Sequence, residues 1–209
     1  MIVDGLAPDP RRPGSTRVQV DGRPAWTVPA DVVRELALAV GRPVPAGGTE
    51  RLDRAADEEG AVRAALRLLE RRAHGRRELE RKLLRKGHGE EAVTAASRRL
   101  DELGLLDDAA FAEAYVTGRA GRGRGPDRLR RDLAALGVAA AVAEGAIGRL
   151  AADDTPDPWE RTLEQASRRA ASMHGLPRLT RQRRLHNFFA RRGFTGAEAR
   201  EAIERLLED

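Results

Sequence analysis

Cysteine is absent from the 209 residues, which excludes a disulfide framework, a thiolate nucleophile and any cysteine-based metal site. That absence suits a reducing compartment. Aromatic residues are scarce at 3%, so a single core built on large rings is not expected; alanine and leucine suit thin helix-on-helix packing instead. No run of about 18 apolar residues occurs, and the first residues lack the apolar centre of a signal peptide. The expectation is an intracellular, cytoplasmic protein with no membrane association. Lysine is almost missing too: Lys82 and Lys86 are the only two among 38 basic residues, which outnumber 33 acidic ones.

The usual marks of catalysis are also missing. His74, His88, His174 and His186 are scattered without ligand spacing. Ser15, Ser97 and Ser172 have no triad-like context. The run Gly121-Arg122-Gly123-Arg124-Gly125 lacks the Gly-Lys-Ser/Thr ending of a phosphate loop, and reads as a flexible basic linker. Asp107 and Asp108 are adjacent, which suits a helix cap and its first-turn neighbour rather than a paired site. No enzyme, cofactor or metal is expected.

What is present is a repeat. Three basic amphipathic stretches each end on a glycine, with apolar residues eight and four positions earlier: Leu79 and Leu83 before Gly87, Leu129 and Leu133 before Gly137, Leu185 and Phe189 before Gly193. The register persists downstream, since Leu100, Leu150 and Leu206 each stand thirteen residues past their glycine. A period of about 50 residues that is helical throughout predicts tandem three-helix units in an elongated curved array. The units run over 49–105, 106–152 and 153–209.

Ahead of them, 1–15 reads as a disordered leader and 16–48 as a small β-hairpin module and linker. Arg17–Val20 and Ala25–Val28 flank the turn pair Asp21-Gly22, and a short helix is expected over about 30–40. The stretch 50–72 is helical but need not be continuous. Thr195-Gly196-Ala197-Glu198 has the pattern of a capping box. The acidic segment Ala151–Pro158 predicts a joint between the second and third units, and a loop insertion is expected around Met173–Leu179.

Arg77-Glu78-Leu79, Lys82-Leu83 and Lys86-Gly87, then Leu103-Gly104-Leu105-Leu106-Asp107-Asp108 with Phe111-Ala112 and Tyr115-Val116, then Gly125-Pro126, Arg128, Leu133 and Gly137-Val138, together resemble the RecX family of bacterial recombination regulators. The resemblance covers roughly residues 62–150, with a weaker third copy to the C-terminus. It implies a non-enzymatic protein that binds RecA and its nucleoprotein filament and restrains strand exchange, ATP hydrolysis and co-protease activity. Two positions depart from the pattern. Gly75 stands where a serine or threonine cap is expected, and Leu136 where a lysine is expected.

The residues themselves suggest where a partner would bind. Arg76 and Arg77, like Arg181 and Arg183, sit in helix first turns, where the dipole disfavours cations by up to about 1 kcal/mol. Stability alone would not select them. With Arg81, Lys82, Arg85 and Lys86 in the first copy, Arg122, Arg124, Arg128, Arg130 and Arg131 in the second, and Arg184, Arg191 and Arg192 in the third, they form a basic stripe expected to meet RecA or DNA phosphates. The chain is expected to act as a monomer, with weak direct DNA contact. The alternative is a stand-alone helical DNA-binding protein of the helix-turn-helix or nucleoid kind.

Overall fold

The computed structural model describes residues 1–152 and 157–208, the side chains of 151 and 152 aside, so the middle of the expected joint Ala151–Pro158, residues 153–156, lies outside the described residues. The chain divides into two units, the first ending at Leu106 and the second starting at Asp107.

The first unit opens on an antiparallel sheet of order β1-β2-β3, with β1 at Val3–Pro8, β2 at Ser15–Val20 and β3 at Arg23–Pro29. Asp21 and Gly22 both take positive φ, 51° and 77°, as the tight β2–β3 hairpin requires. Val18 and Val20 alternate inward with Val3 and Val28. The leader expected to be disordered is therefore an edge strand, and its prolines mark the strand's end and the turn beyond it. Asp9 organises that turn, accepting from the Arg11 N–H at 2.9 Å. The segment after residue 40 closes the outer edge of β1: Val3 N–H donates to Arg42 O at 2.9 Å, and Gly41 N–H to Val3 O at 2.7 Å.

Helix α1 spans only Ala30–Glu35. It stops because Ala37 turns left-handed at φ 47°, which drops Leu38 into the sheet core. Helix α2, Gly48–Leu69, is one unbroken rod. Its first half, through Leu52 and Ala55, covers the sheet. Its second half presents Ala61, Val62, Ala64 and Ala65 to α3 (Arg76–Arg85) and α4 (Glu90–Glu102). Small residues let α4 approach closely through Ala92 and Ala96.

The second unit holds two three-helix repeats: α5 (Asp108–Ala120), α6 (Pro126–Leu136) and α7 (Ala140–Ala152), then α8 (Pro158–Ala171), α9 (Arg178–Arg192) and α10 (Ala197–Glu208). Asp107 caps α5 as its type and position predict, accepting from the Ala109 and Ala110 N–H groups, both at 2.9 Å. Phe111 and Val116 pack on Leu129, Leu133 and Ile147. In the third repeat Leu185, Phe188 and Phe189 fill the core with Ile203 and Leu207. The loop between α8 and α9 falls where the insertion is expected, and Met173 within it is buried. The Thr195 hydroxyl of the expected capping box donates to the Asp127 carboxylate, across to α6.

The hinge glycines share one geometry. Gly87, Gly137 and Gly193 have φ of 90°, 89° and 91°. Each glycine N–H bonds the carbonyl three residues back, to Leu84, Ala134 and Ala190 at 2.9, 2.9 and 3.1 Å. The next N–H, from His88, Val138 and Phe194, reaches back five residues to Leu83, Leu133 and Phe189 at 3.3, 3.0 and 3.0 Å. This is the Schellman closure of a helix C-terminus, which needs a left-handed residue and so favours glycine.

Candidate functional site

The three basic helices start from the same pattern and use their charges differently. In α3 the inward residues Leu79 and Leu83 are fully buried. Arg77, Arg81 and Arg85 follow one another at four-residue intervals, one turn apart on the opposite face, and are exposed together with Lys86. Arg77, Arg85 and Lys86 form no ion pair among the described residues. Arg76 instead reaches the Asp101 carboxylate on α4.

Lys82 belongs to the fold. Its ammonium lies 3.0 Å from the Glu78 carboxylate and 2.8 Å from His74 Nε2. His74 is buried, with Nδ1 2.9 Å from the Arg72 carbonyl. A carbonyl can only accept, so Nδ1 carries the proton and Nε2 accepts from Lys82. Burial pushes the His74 pKa down, and the Arg72 guanidinium and Lys82 ammonium add to that. Burial opposes ionisation of Glu78, but hydrogen bonds from Arg72 and Lys82 outweigh it and hold its carboxyl below the usual range.

In the second repeat nearly every stripe cation is tied to the repeat itself. Arg124 and Arg128 converge on Asp132, the latter at 2.9 Å. Arg130 bonds Glu144 at 2.7 Å and Asp127 at 2.8 Å. Arg131 reaches the Ala190 carbonyl at 3.4 Å. Arg122 alone of this group is exposed without a side-chain partner among the described residues. The expected flexible linker is in fact a docking loop, with Gly123 and Gly125 buried. Gly125 N–H donates to Arg192 O at 2.6 Å, Asp127 N–H to Gly193 O at 3.2 Å, and Thr162 Oγ1 to Gly123 O at 3.3 Å. The carbonyls at the end of α9 thereby satisfy donors at the start of α6 that a helix leaves open. No side chain fits between them: a Cβ on Gly125 would lie 2.7 Å from Gly193 O.

Helix α9 starts at Arg178, so Arg183 lies in its second turn rather than in the first as expected, and Arg181 and Arg192 turn inward. Arg181 donates to Leu206 O at 3.1 Å, and Arg192 to Gln165 Oε1 at 2.8 Å while its guanidinium stacks 3.7 Å from the Phe188 ring centre. Arg183, Arg184 and Arg191 are exposed and form no ion pair among the described residues. The structure thus separates the sixteen candidate cations into a structural set, centred on the second repeat, two exposed rows, one on α3 and one on α9, and the exposed Arg122 between α5 and α6. Sequence reading missed the partners Asp132 and Glu78, although the four-residue spacing of Arg128 to Asp132 and of Glu78 to Lys82 is that of helix ion pairs. Among the described residues no cluster of three or more His, Asp or Glu side chains is arranged to hold a metal, and no helix is long and apolar enough to cross a membrane.

Comparison with known proteins agrees with this architecture. Residues 61–100 match the family model of the first three-helix domain of RecX, and residues 107–147 that of the second. A regulatory protein RecX of Halorhodospira halophila (strain DSM 244 / SL1) is 41% identical over 151 residues, 71% of this chain and 90% of the relative. One from Xanthomonas axonopodis pv. citri (strain 306) is 38% identical over 152 residues, 73% of this chain and 91% of the relative. A crystal structure of a regulatory protein RecX superposes with a TM-score of 0.74 at 20% identity, covering 98% of both chains. That of RecX from Lactobacillus salivarius gives 0.60 at 24% identity, covering 73% of this chain and 97% of the other. These two share the fold. With two family domains in tandem, each centred on a glycine-closed basic helix, and relatives of this identity matched over most of their length, the chain belongs to the RecX family of regulatory proteins.

Proposed function

We propose that the chain is a non-enzymatic regulator that binds RecA and its nucleoprotein filament in the cytoplasm and restrains strand exchange, ATP hydrolysis and co-protease activity. The reading rests on family membership together with one observation: Arg77, Arg85 and Lys86 on α3, and Arg183, Arg184 and Arg191 on α9, are cations that the fold does not consume. Exposed rows on separate repeats suit a repetitive partner such as a filament. Several weak contacts on one monomer multiply through effective concentration, so no single tight site is required.

The test is RecA-dependent ATP hydrolysis on single-stranded DNA with the chain titrated in. Turnover should fall while the chain alone hydrolyses no ATP. Unchanged turnover at several-fold molar excess would refute the proposal. Tight binding to naked duplex DNA with RecA unaffected would assign the chain to stand-alone DNA binders instead.

A further inference from the structure

Helix α9 contains six arginines and no carboxylate over residues 178–192. Two of the six are consumed by the repeat, as described. Arg183, Arg184 and Arg191 fall within about 100° of one another around the helix axis and span two turns, about 12 Å. Asn187 shares their face and is also exposed. Beside this row, Arg169 of α8 and Arg192 stack on the same Phe188 ring, at 5.8 and 3.7 Å. The positive charges of Arg169 and Arg191, after burial itself, depress the Arg192 pKa. The third repeat therefore concentrates like charges that its own acids do not offset, a standing repulsion that an anionic ligand would relieve.

The composition of the face indicates which anion. Protein–protein contact patches have an apolar or aromatic centre and few charges there. Here the centre is Arg183, Arg184, Asn187 and Arg191, while Phe188 is covered. Interfaces with nucleic acid are more polar and far more positive, and arginine's planar fork matches phosphate oxygens in pairs.

We infer that the outer face of α9 is a contact surface for the sugar–phosphate backbone of single-stranded DNA, and that the arginines of α6 are not part of it. This rests on the proposed filament regulation in taking the bound strand as the anion source. It deepens that reading by dividing labour among the repeats: the second is a spacer whose charges hold it together, and the third makes the phosphate contact.

The experiment uses the full chain and its triple variant Arg183→Gln, Arg184→Gln, Arg191→Gln. Binding of a fluorescent oligothymidine, without RecA, is followed by anisotropy across a salt series, with circular dichroism melting as a check that the variant folds. Each lost phosphate contact reduces the slope of log affinity against log salt by about 0.7 for single strands, so the triple variant should flatten it by about 2. An unchanged slope overturns the inference, as does a parent protein that fails to bind the oligonucleotide at low salt. Displacement by polyglutamate as effective as by unlabelled oligothymidine, charge for charge, assigns the face to an acidic protein surface and also overturns it. Failure of the broader proposal reads differently: RecA turnover would then be unaffected by the parent, while the oligonucleotide result stands.

Discussion

Lys82 separates a charge that the fold needs from charges that it does not. It is held between Glu78 and His74, so Lys82→Glu sets two carboxylates one helical turn apart and leaves His74 Nε2 without its donor. Losing charged hydrogen bonds of this kind costs about 1–3 kcal/mol. Arg77→Glu on the opposite face should change stability by less than about 0.5 kcal/mol. Urea denaturation of the two variants against the parent distinguishes them. A second consequence lies in pH. His74 has its pKa lowered in the folded chain from an ordinary value of 6.5, so the unfolded chain takes up the proton first, and stability falls as pH drops below about 6.5. Glu78 also has a lowered pKa, and its contribution is present above 4.5 and lost as pH falls below that value. The melting temperature of the parent should therefore decline between pH 7 and 5, and the decline should be shallower in His74→Gln. Parallel profiles would show that His74 is not the group responsible. Phe111 is buried among Leu129, Leu133 and Val116, and Phe111→Ala should cost about 3–5 kcal/mol in the same denaturation assay.

At the scale of elements, one closure serves three helices under different constraints. At Gly87 the left-handed backbone is the sole demand, because a Cβ there would meet no atom within 4 Å. Gly87→Ala should then cost about 1–2 kcal/mol, the strain of the left-handed conformation. Gly193 has the same φ, but a Cβ would overlap the Arg128 backbone, so Gly193→Ala must also part α9 from α6 and should lose clearly more. Equal losses in urea denaturation would mean that the docking contributes nothing. The period and its glycines are legible in the sequence because helical spacing is local and few residues tolerate positive φ. Strand β1 is not legible, since the prolines and glycines of residues 1–15 resemble a leader while the strand's order comes from pairing with β2 and residues 41–42. The stripe is legible only in part for the same reason. Arg128 to Asp132 is a local spacing, but Arg131 to Ala190 and Gly125 to Arg192 join residues more than fifty positions apart.

Taken as a whole, the second unit is two repeats fastened backbone to backbone, whatever the chain does between them. Its two repeats should unfold together in the parent, and Gly193→Ala should split the transition, with signals from Trp159 in the third repeat melting ahead of those from Tyr115 in the second; a single transition in both proteins would contradict this. The fastening also has a direction. Repeat three offers the carbonyls at the end of α9, and repeat two receives them with the N–H groups of Gly125, just ahead of α6, and Asp127, within its first turn. The residue in the same place ahead of α9 is Pro177, which has no N–H to give. A further unit, or a second copy of the chain, could not repeat the Gly125-to-Arg192 hydrogen bond on the third repeat. An interface that joins unlike surfaces head to tail can propagate into rings or fibres; at this contact Pro177 leaves a next carbonyl without the donor that Gly125 supplies, so the shortest backbone hydrogen bond of the fastening has no successor.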